Sequence, residues 1–232
     1  MYIIRVTDFR RSAFFRIAHR GASAYEPENT LRSFEKAIQL ETDFIEFDVR
    51  STLDGRVVVI HDPRVDRTTN GRGRVAHKTF SELRNLDAGL GEKVPSIEEV
   101  LELSKNRTGF VIELKEDGIE HKVLNAVKDF SIADEVFIVS FKARRLKLIK
   151  ELEPQLKTGL IVFASHNPLR SALYCGADAL APFKWFVSRK IVEQAHHHGL
   201  YLFTWTVDVA DNARRFREIG VNGIVTNKPD LI

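Results

Sequence analysis

The chain has 232 residues, of which 44% are hydrophobic and 29% charged, with a formal net charge of +3. That length exceeds the needs of one β-sandwich and suits one α/β barrel of about 200 to 250 residues, while the apolar fraction argues against a disordered chain. Acids and bases nearly balance and no clustered basic stripe is evident, so a nucleic-acid partner is not expected.

From Met1 to Arg20, the arginines at 5, 10, 11 and 16 break every apolar stretch, which excludes a secretory segment or membrane span there. The one cysteine, Cys175, cannot form an internal disulfide, and its isolation points to a reducing compartment. A cytoplasmic protein without stable membrane insertion is expected. Nothing in the sequence fixes the oligomeric state.

Short apolar runs alternate with amphipathic segments, the pattern of βα units around a parallel sheet. The first predicted strand is Phe14 to Ala18, ending at His19-Arg20-Gly21. A helix follows, capped by Asn29 or Thr30, with Leu31, Phe34, Ala37 and Ile38 on its apolar face. The second strand is Phe44 to Val49. Ser51 to Arg56 then leads straight into Val57 to His61 with no room for a helix. Asp54-Gly55 between two β-rich runs signals a tight turn, so an antiparallel hairpin is expected. Reflection about Asp54-Gly55 pairs Asp48 with His61.

Residues 64 to 94 read as loop, with a short helix at Ser81 to Leu86. A helix capped by Ser96, with Glu99 completing a capping box, runs through Leu103. Further strands are predicted at Phe110 to Leu114, Val136 to Ser140, Thr158 to Val162, Ala179 to Ala181, Leu200 to Thr206 and Gly223 to Thr226. Helical stretches lie around 119–130, 142–152, 167–174, 188–198 and 210–219. Leaving the hairpin aside, eight strands result, each but the last followed by helical sequence. An open doubly wound sheet would need exposed edge strands and a Gly-rich loop after strand one, which His19-Arg20-Gly21 is not. The expected fold is a closed (β/α)8 TIM barrel in one domain, residues 1 to 232.

Strand residues two apart share a face. Glu46 and Asp48 therefore point together, opposite Ile45, Phe47 and Val49, and Glu113 points with Lys115, opposite Ile112 and Leu114. In a barrel the polar face is the interior near the strands' C-terminal ends, where active sites sit. Three carboxylates converging there repel one another, and Lys115 alone cannot neutralise them. A divalent cation would. Oxygen-only ligands favour Mg²⁺ or Ca²⁺ over Zn²⁺, with Mn²⁺ a further candidate. His19 and His61 should flank the same site and divide the work of one base and one acid. Arg20 and Lys115 suit phosphate oxygens. Together these residues form the inventory for phosphodiester cleavage.

His19-Arg20-Gly21 followed by Pro27-Glu28-Asn29-Thr30 resembles the opening motif of glycerophosphodiester phosphodiesterases. The resemblance continues through Glu46-Phe-Asp48-Val, Thr52-Leu-Asp54-Gly55, Val59-Ile-His61-Asp62 and Arg67-Thr-Thr-Asn-Gly71-Arg-Gly73. It extends to Leu86-Asp-Ala-Gly89, Pro95-Ser-Ile-Glu-Glu99, Glu113-Leu-Lys115, Thr204-Trp205-Thr-Val207 and Thr226-Asn-Lys-Pro-Asp230. It implies a (β/α)8 barrel with a short insertion at 62 to 94, and hydrolysis of a small glycerophosphodiester to sn-glycerol 3-phosphate and an alcohol. It further implies Glu46, Asp48 and Glu113 as metal ligands, His19 and His61 as the acid/base pair, and Arg20 and Lys115 as phosphate contacts. A neighbouring glycerol hydroxyl would attack first, giving a cyclic phosphate that water opens.

Plainer roles stand beside these. Lys115 could simply pair with Glu113, and Asp62 either orients His61 or caps a turn. Trp205 either lines the substrate pocket or packs in the core, with Phe141 and Phe183 weaker candidates of the same kind. His196-His197-His198, late in a helix and without acidic partners, reads as a solvated face. Cys175 reads as a small buried residue. Two functional alternatives remain: a lysophospholipase D using the same site with a longer apolar groove, and a non-catalytic barrel. The second predicts damage to the histidines or carboxylates, and neither is damaged.

Overall fold

The computed structural model describes residues 14–231; most of the Met1 to Arg20 stretch read above lies outside the described residues. Eight parallel strands close into a barrel: β1 (Phe15–His19), β2 (Phe44–Ser51), β4 (Gly109–Leu114), β5 (Val136–Ser140), β6 (Lys157–Val162), β7 (Ala179–Pro182), β8 (Tyr201–Thr204) and β9 (Gly223–Thr226). β1 pairs with both β9 and β2, which closes the cylinder and leaves no open edge in it. The short β3 (Val57–Val59) adds to β2 antiparallel. Around the barrel run α1 (Leu31–Gln39), α2 (Phe80–Arg84), α3 (Ile97–Ser104), α4 (Glu120–Asp129), α5 (Ala143–Leu152), α6 (Pro168–Tyr174), α7 (Arg189–His197) and α8 (Ala210–Glu218). Among the described residues no helix is long and apolar enough to cross a membrane.

Local chemistry sets these boundaries. Thr30, not Asn29, caps α1, its side chain accepting from Ser33 N. Ser96 and Glu99 form the predicted capping box of α3. A box that the sequence reading missed, Thr79 with Glu82, starts α2 one residue before the predicted Ser81 to Leu86 span.

Alternation sorts the strand side chains into two layers. Ile45, Phe47, Val49, Ile112 and Leu114 point outward and are buried beneath the helices. Phe15, Phe44, Phe137 and Phe203 point inward and fill the barrel floor edge to face, with ring centroids 5.7 Å (Phe15 to Phe44), 6.2 Å (Phe44 to Phe137) and 5.6 Å (Phe137 to Phe203) apart. Gly109 makes that floor possible, because a Cβ there would stand 2.4 Å from the Phe44 ring. An apolar floor leaves the C-terminal mouth as the end where polar side chains gather.

The hairpin departs from expectation by one residue. Val49 faces Val59, Arg50 faces Val58 and Ser51 faces Val57, and Ile60 N donates to Asp48 O at 2.9 Å. Asp48 is therefore opposite Ile60 and not His61. The loop holds three residues, Leu53-Asp54-Gly55, closed by Thr52 N donating to Arg56 O at 2.9 Å, with Gly55 at φ +79°. A left-handed glycine ending a three-residue loop shifts the register that a two-residue turn would set. His61 still reaches the barrel mouth, because β3 stops at Val59 and the chain bends beyond it. Past that bend, Val65, Val75, Leu83, Ala88 and Val94 form a small apolar cluster with Val58 and Ile60.

Candidate active site

Parallel register brings the polar residues together. His19 on β1 lies beside Glu46 on β2, and Asp48 on β2 lies beside Glu113 on β4. Carboxylate oxygens of Glu46, Asp48 and Glu113 can all lie within 4.8 Å of one another, and all three residues are buried. A cavity of about 100 Å³ opens over them, lined by His19, Arg20, Glu46, His61, Glu113, Lys115, Phe141 and Trp205, among others. Of the site residues predicted from sequence all but Asp48 line this cavity, and Asp48 lies against Glu46 and Glu113.

The surrounding contacts are dense. Lys115 Nζ lies 2.8 Å from Glu113 Oε1 and 3.3 Å from Asp48 Oδ1. Arg20 Nε lies 3.3 Å from Asp48 Oδ2 without hydrogen-bond geometry, while its Nη1 donates to Glu28 Oε1 at 2.9 Å. Arg20 sits in the left-handed region, φ +56°, which turns its backbone N toward Glu46 Oε2 at 2.9 Å. The next residue must be glycine: at φ +79°, a Cβ on Gly21 would meet Ser33 Oγ at 2.4 Å.

His61 Nδ1 lies 2.6 Å from Asp62 Oδ1, so Asp62 orients His61. Arg67 bridges Asp62 (2.6 Å) and Glu28 (2.7 and 2.8 Å). A chain of ion pairs therefore runs from Asp48 through Arg20, Glu28 and Arg67 to Asp62, which is hydrogen-bonded to His61. His19 Nδ1 lies 2.7 Å from Asn227 Oδ1. Trp205 contributes its ring to the pocket wall; its Nε1 is used on Ala181 O at 2.9 Å.

A scan against known families matches residues 19–231 to the glycerophosphoryl diester phosphodiesterase family. The chain belongs to that family. It is 40% identical over 230 residues to a glycerophosphodiester phosphodiesterase of Caldanaerobacter subterraneus subsp. tengcongensis, covering 93% of this chain and 95% of the relative. It is also similar to the structure of an Oleispira antarctica phosphodiesterase in complex with the product sn-glycerol-3-phosphate, at TM-score 0.85 and 27% identity, covering 92% of this chain and 93% of that one. A glycerophosphodiester phosphodiesterase from Agrobacterium tumefaciens gives TM-score 0.86 and 30% identity, covering 94% and 98%.

Electrostatics in this phosphodiesterase-family pocket favour a cation. Burial pushes the Glu46 carboxyl well above the usual range, and the charges of Asp48 and Glu113 add to that. Burial and Asp48 raise Glu113 to about 7, against the pull of Lys115. For Asp48 burial is likewise the largest influence, but Lys115, Arg20, His61 and Asn29 together outweigh it and hold the group below its ordinary value. Protein cations thus serve one carboxylate well and leave the other two short of counter-charge. Buried oxygen donors with surplus negative charge fit a hard divalent ion. Burial also pushes His19 down to about 4, with Arg20 assisting and Asn227 and Asp48 opposing. His61 is lowered too, chiefly by burial.

Several contributors escaped the sequence reading. Asn29 donates to Asp48 Oδ2 at 2.9 Å and does not cap the helix. Glu28 and Arg67 stood in quoted motifs without a role; Asp208 and the side chain of Asn227 were not singled out. The histidine run is a solvated face only in part: His197 and His198 are exposed, whereas His196 is half-buried and bonds Asn222 Oδ1 at 2.9 Å. Cys175 is buried.

Proposed function

We propose that this chain hydrolyses small glycerophosphodiesters to sn-glycerol 3-phosphate and an alcohol. The observation that carries the reading is the meeting of Glu46, Asp48 and Glu113 beneath a cavity walled by His19 and His61. A divalent cation held by these three carboxylates, Mg²⁺ or Ca²⁺ with Mn²⁺ a further candidate, supplies Lewis-acid polarisation of the phosphate. Arg20, whose buried Nε makes no hydrogen bond, and Lys115 offer their donors to phosphate oxygens. As the glycerol hydroxyl oxygen bonds phosphorus, its proton passes to one imidazole. The bond from phosphorus to the alcohol oxygen breaks, and that oxygen takes a proton from the other imidazole. Water then opens the cyclic phosphate with the two histidines in exchanged roles, so both return to their starting states. The cytoplasmic setting inferred from lone, buried Cys175 belongs to the same proposal.

The test is a turnover assay on glycerophosphocholine, glycerophosphoethanolamine and glycerophosphoglycerol after chelation and again with each cation. The reading requires sn-glycerol 3-phosphate as product and recovery with at least one cation. Undiminished turnover in chelator, or no cleavage of any of the three, removes it.

One feature favours a second substrate class, lysophospholipids. Phe163, Trp185 and Phe186 are 53%, 77% and 51% exposed in the loops after β6 and β7. Phe163 and Phe186 border a hollow of about 360 Å³ that contains no carboxylate and is lined partly by Val162, Leu169 and Ile191. Residues 163–170 and 183–190 carry Arg170, Lys184, Arg189 and Lys190 but no acid, which suits an acyl chain at an anionic lipid surface. Substituting Trp185 and Phe186 by alanine should then lower turnover of lysophosphatidylcholine while sparing glycerophosphocholine. Equal effects on both would remove this second reading.

A further inference from the structure

We infer that Asp208 and Asn227 form a positioning relay that fixes the tautomer of His19 and presents its Nε2 to the cavity as the proton acceptor. The inference rests on the function proposed above but is carried by different contacts. Asp208, in the loop after β8, receives three hydrogen bonds from the end of β9 and the residue that follows it. Asn227 N donates to Oδ1 at 2.8 Å, Thr226 Oγ1 donates to Oδ1 at 3.1 Å, and Asn227 Nδ2 donates to Oδ2 at 2.7 Å.

A carboxylate only accepts. Its hold on the amide nitrogen therefore decides which way the Asn227 side chain faces. The amide NH₂ turns to Asp208 and the oxygen turns to His19. Asn227 Oδ1 lies 2.7 Å from His19 Nδ1 and 2.8 Å from Ser23 Oγ. Ser23 has one proton for two acceptors, Asn227 Oδ1 and His19 O, both at 2.8 Å. An amide oxygen also only accepts, so the proton in the bond to His19 must reside on Nδ1. In the neutral ring that leaves the lone pair on Nε2, and the ring lines the cavity above the carboxylates.

Asp62, a carboxylate, stands behind His61 Nδ1, whereas a neutral amide stands behind His19. A carboxylate supports a ring that must carry a proton to the leaving alkoxide. An amide orients a ring without adding charge, which suits the imidazole that starts empty at Nε2. Asp208 and Asn227 act through His19 and are positioning residues, not catalytic ones.

The experiment pairs nitrogen-15 imidazole spectra with steady-state kinetics on glycerophosphocholine for wild type, Asp208→Asn and Asn227→Ala. In wild type the His19 spectrum should show a proton on Nδ1 and none on Nε2. Asp208→Asn releases the amide to rotate, so the His19 signal should change to a tautomer mixture. kcat should fall by about 10²-fold at little-changed KM, as expected for a mis-set proton-transfer group. Asn227→Ala should do the same without placing a new amide beside the turn. Thermal melts identify a variant that merely unfolds, and the wild-type tautomer is read whether or not a variant folds. A wild-type ring protonated at Nε2 overturns the inference, as does a folded variant with altered tautomer and unaltered kcat. If wild type shows the Nδ1 proton but cleaves no glycerophosphodiester, the relay stands structurally and the proposed function fails instead.

Discussion

Adding a divalent cation to chelator-treated protein should raise its melting temperature, and the rise should be larger at pH 8 than at pH 5.5. Glu46 and Glu113 are pushed up by burial and by neighbouring carboxylates, Glu113 to about 7. Without a cation, the folded state therefore holds a proton on Glu113 more tightly than the unfolded chain does. Stability is greatest below the ordinary glutamate value and is lost as pH rises toward about 7, at up to about 1.4 kcal/mol per pH unit. A cation reverses this by taking the place of the proton. At pH 8 and a hundredfold excess over Kd, it contributes about 2.7 kcal/mol. That corresponds to roughly 5 to 11 °C for a chain of this size. At pH 5.5, displacing the Glu113 proton weakens apparent affinity by roughly 30-fold, since each pH unit below the folded value is worth a factor of about ten. The same concentration then contributes only about 0.9 kcal/mol. Differential scanning fluorimetry with Mg²⁺, Ca²⁺ and Mn²⁺ at the two pH values reads this directly. Equal shifts at both pH values, or the full shift surviving in Glu113→Gln, would show that the ion binds elsewhere.

Three other outcomes follow from particular contacts. His19→Ala and His61→Ala should each lower turnover by at least about 10² with the melting temperature little changed; unchanged turnover refutes the acid/base assignment. Asn29→Ala removes the 2.9 Å bond to buried Asp48 and should weaken cation affinity by about 10- to 100-fold, measured by calorimetric titration. Gly21→Ala combines a φ of +79° with a contact of 2.4 Å to Ser33 Oγ, and should cost at least about 2 kcal/mol in a denaturant melt. Wild-type stability in that variant would mean the turn after β1 is looser than described.

Much of the barrel was legible because it is local and periodic. β5 and β9 match their predicted spans, Ser96 caps α3 as read, and alternation alone places Glu46 with Asp48 inside. The hairpin register was not, because Asp54-Gly55 closes two- and three-residue loops alike and the left-handed glycine decides between them. Asn29 sat beside a true cap, so its reach to Asp48 across 19 positions had no sequence signature. Asp208 and Asn227 lie in loops after different strands, and their bearing on His19, 208 positions from Asn227, exists only once the barrel closes. The aromatic floor was hidden likewise, since its phenylalanines come singly from β1, β2, β5 and β8.

Hydrolysis as proposed requires a divalent ion and the substrate phosphate to meet over one acidic cluster. Crystals grown with Mn²⁺ and sn-glycerol 3-phosphate test this by anomalous scattering. An anomalous peak bonded to oxygens of Glu46, Asp48 and Glu113 at about 2.0 to 2.6 Å, with the phosphate against it between His19 and His61, is the predicted result. A phosphate seated elsewhere, or a cluster that stays without Mn²⁺ at millimolar concentration, contradicts it.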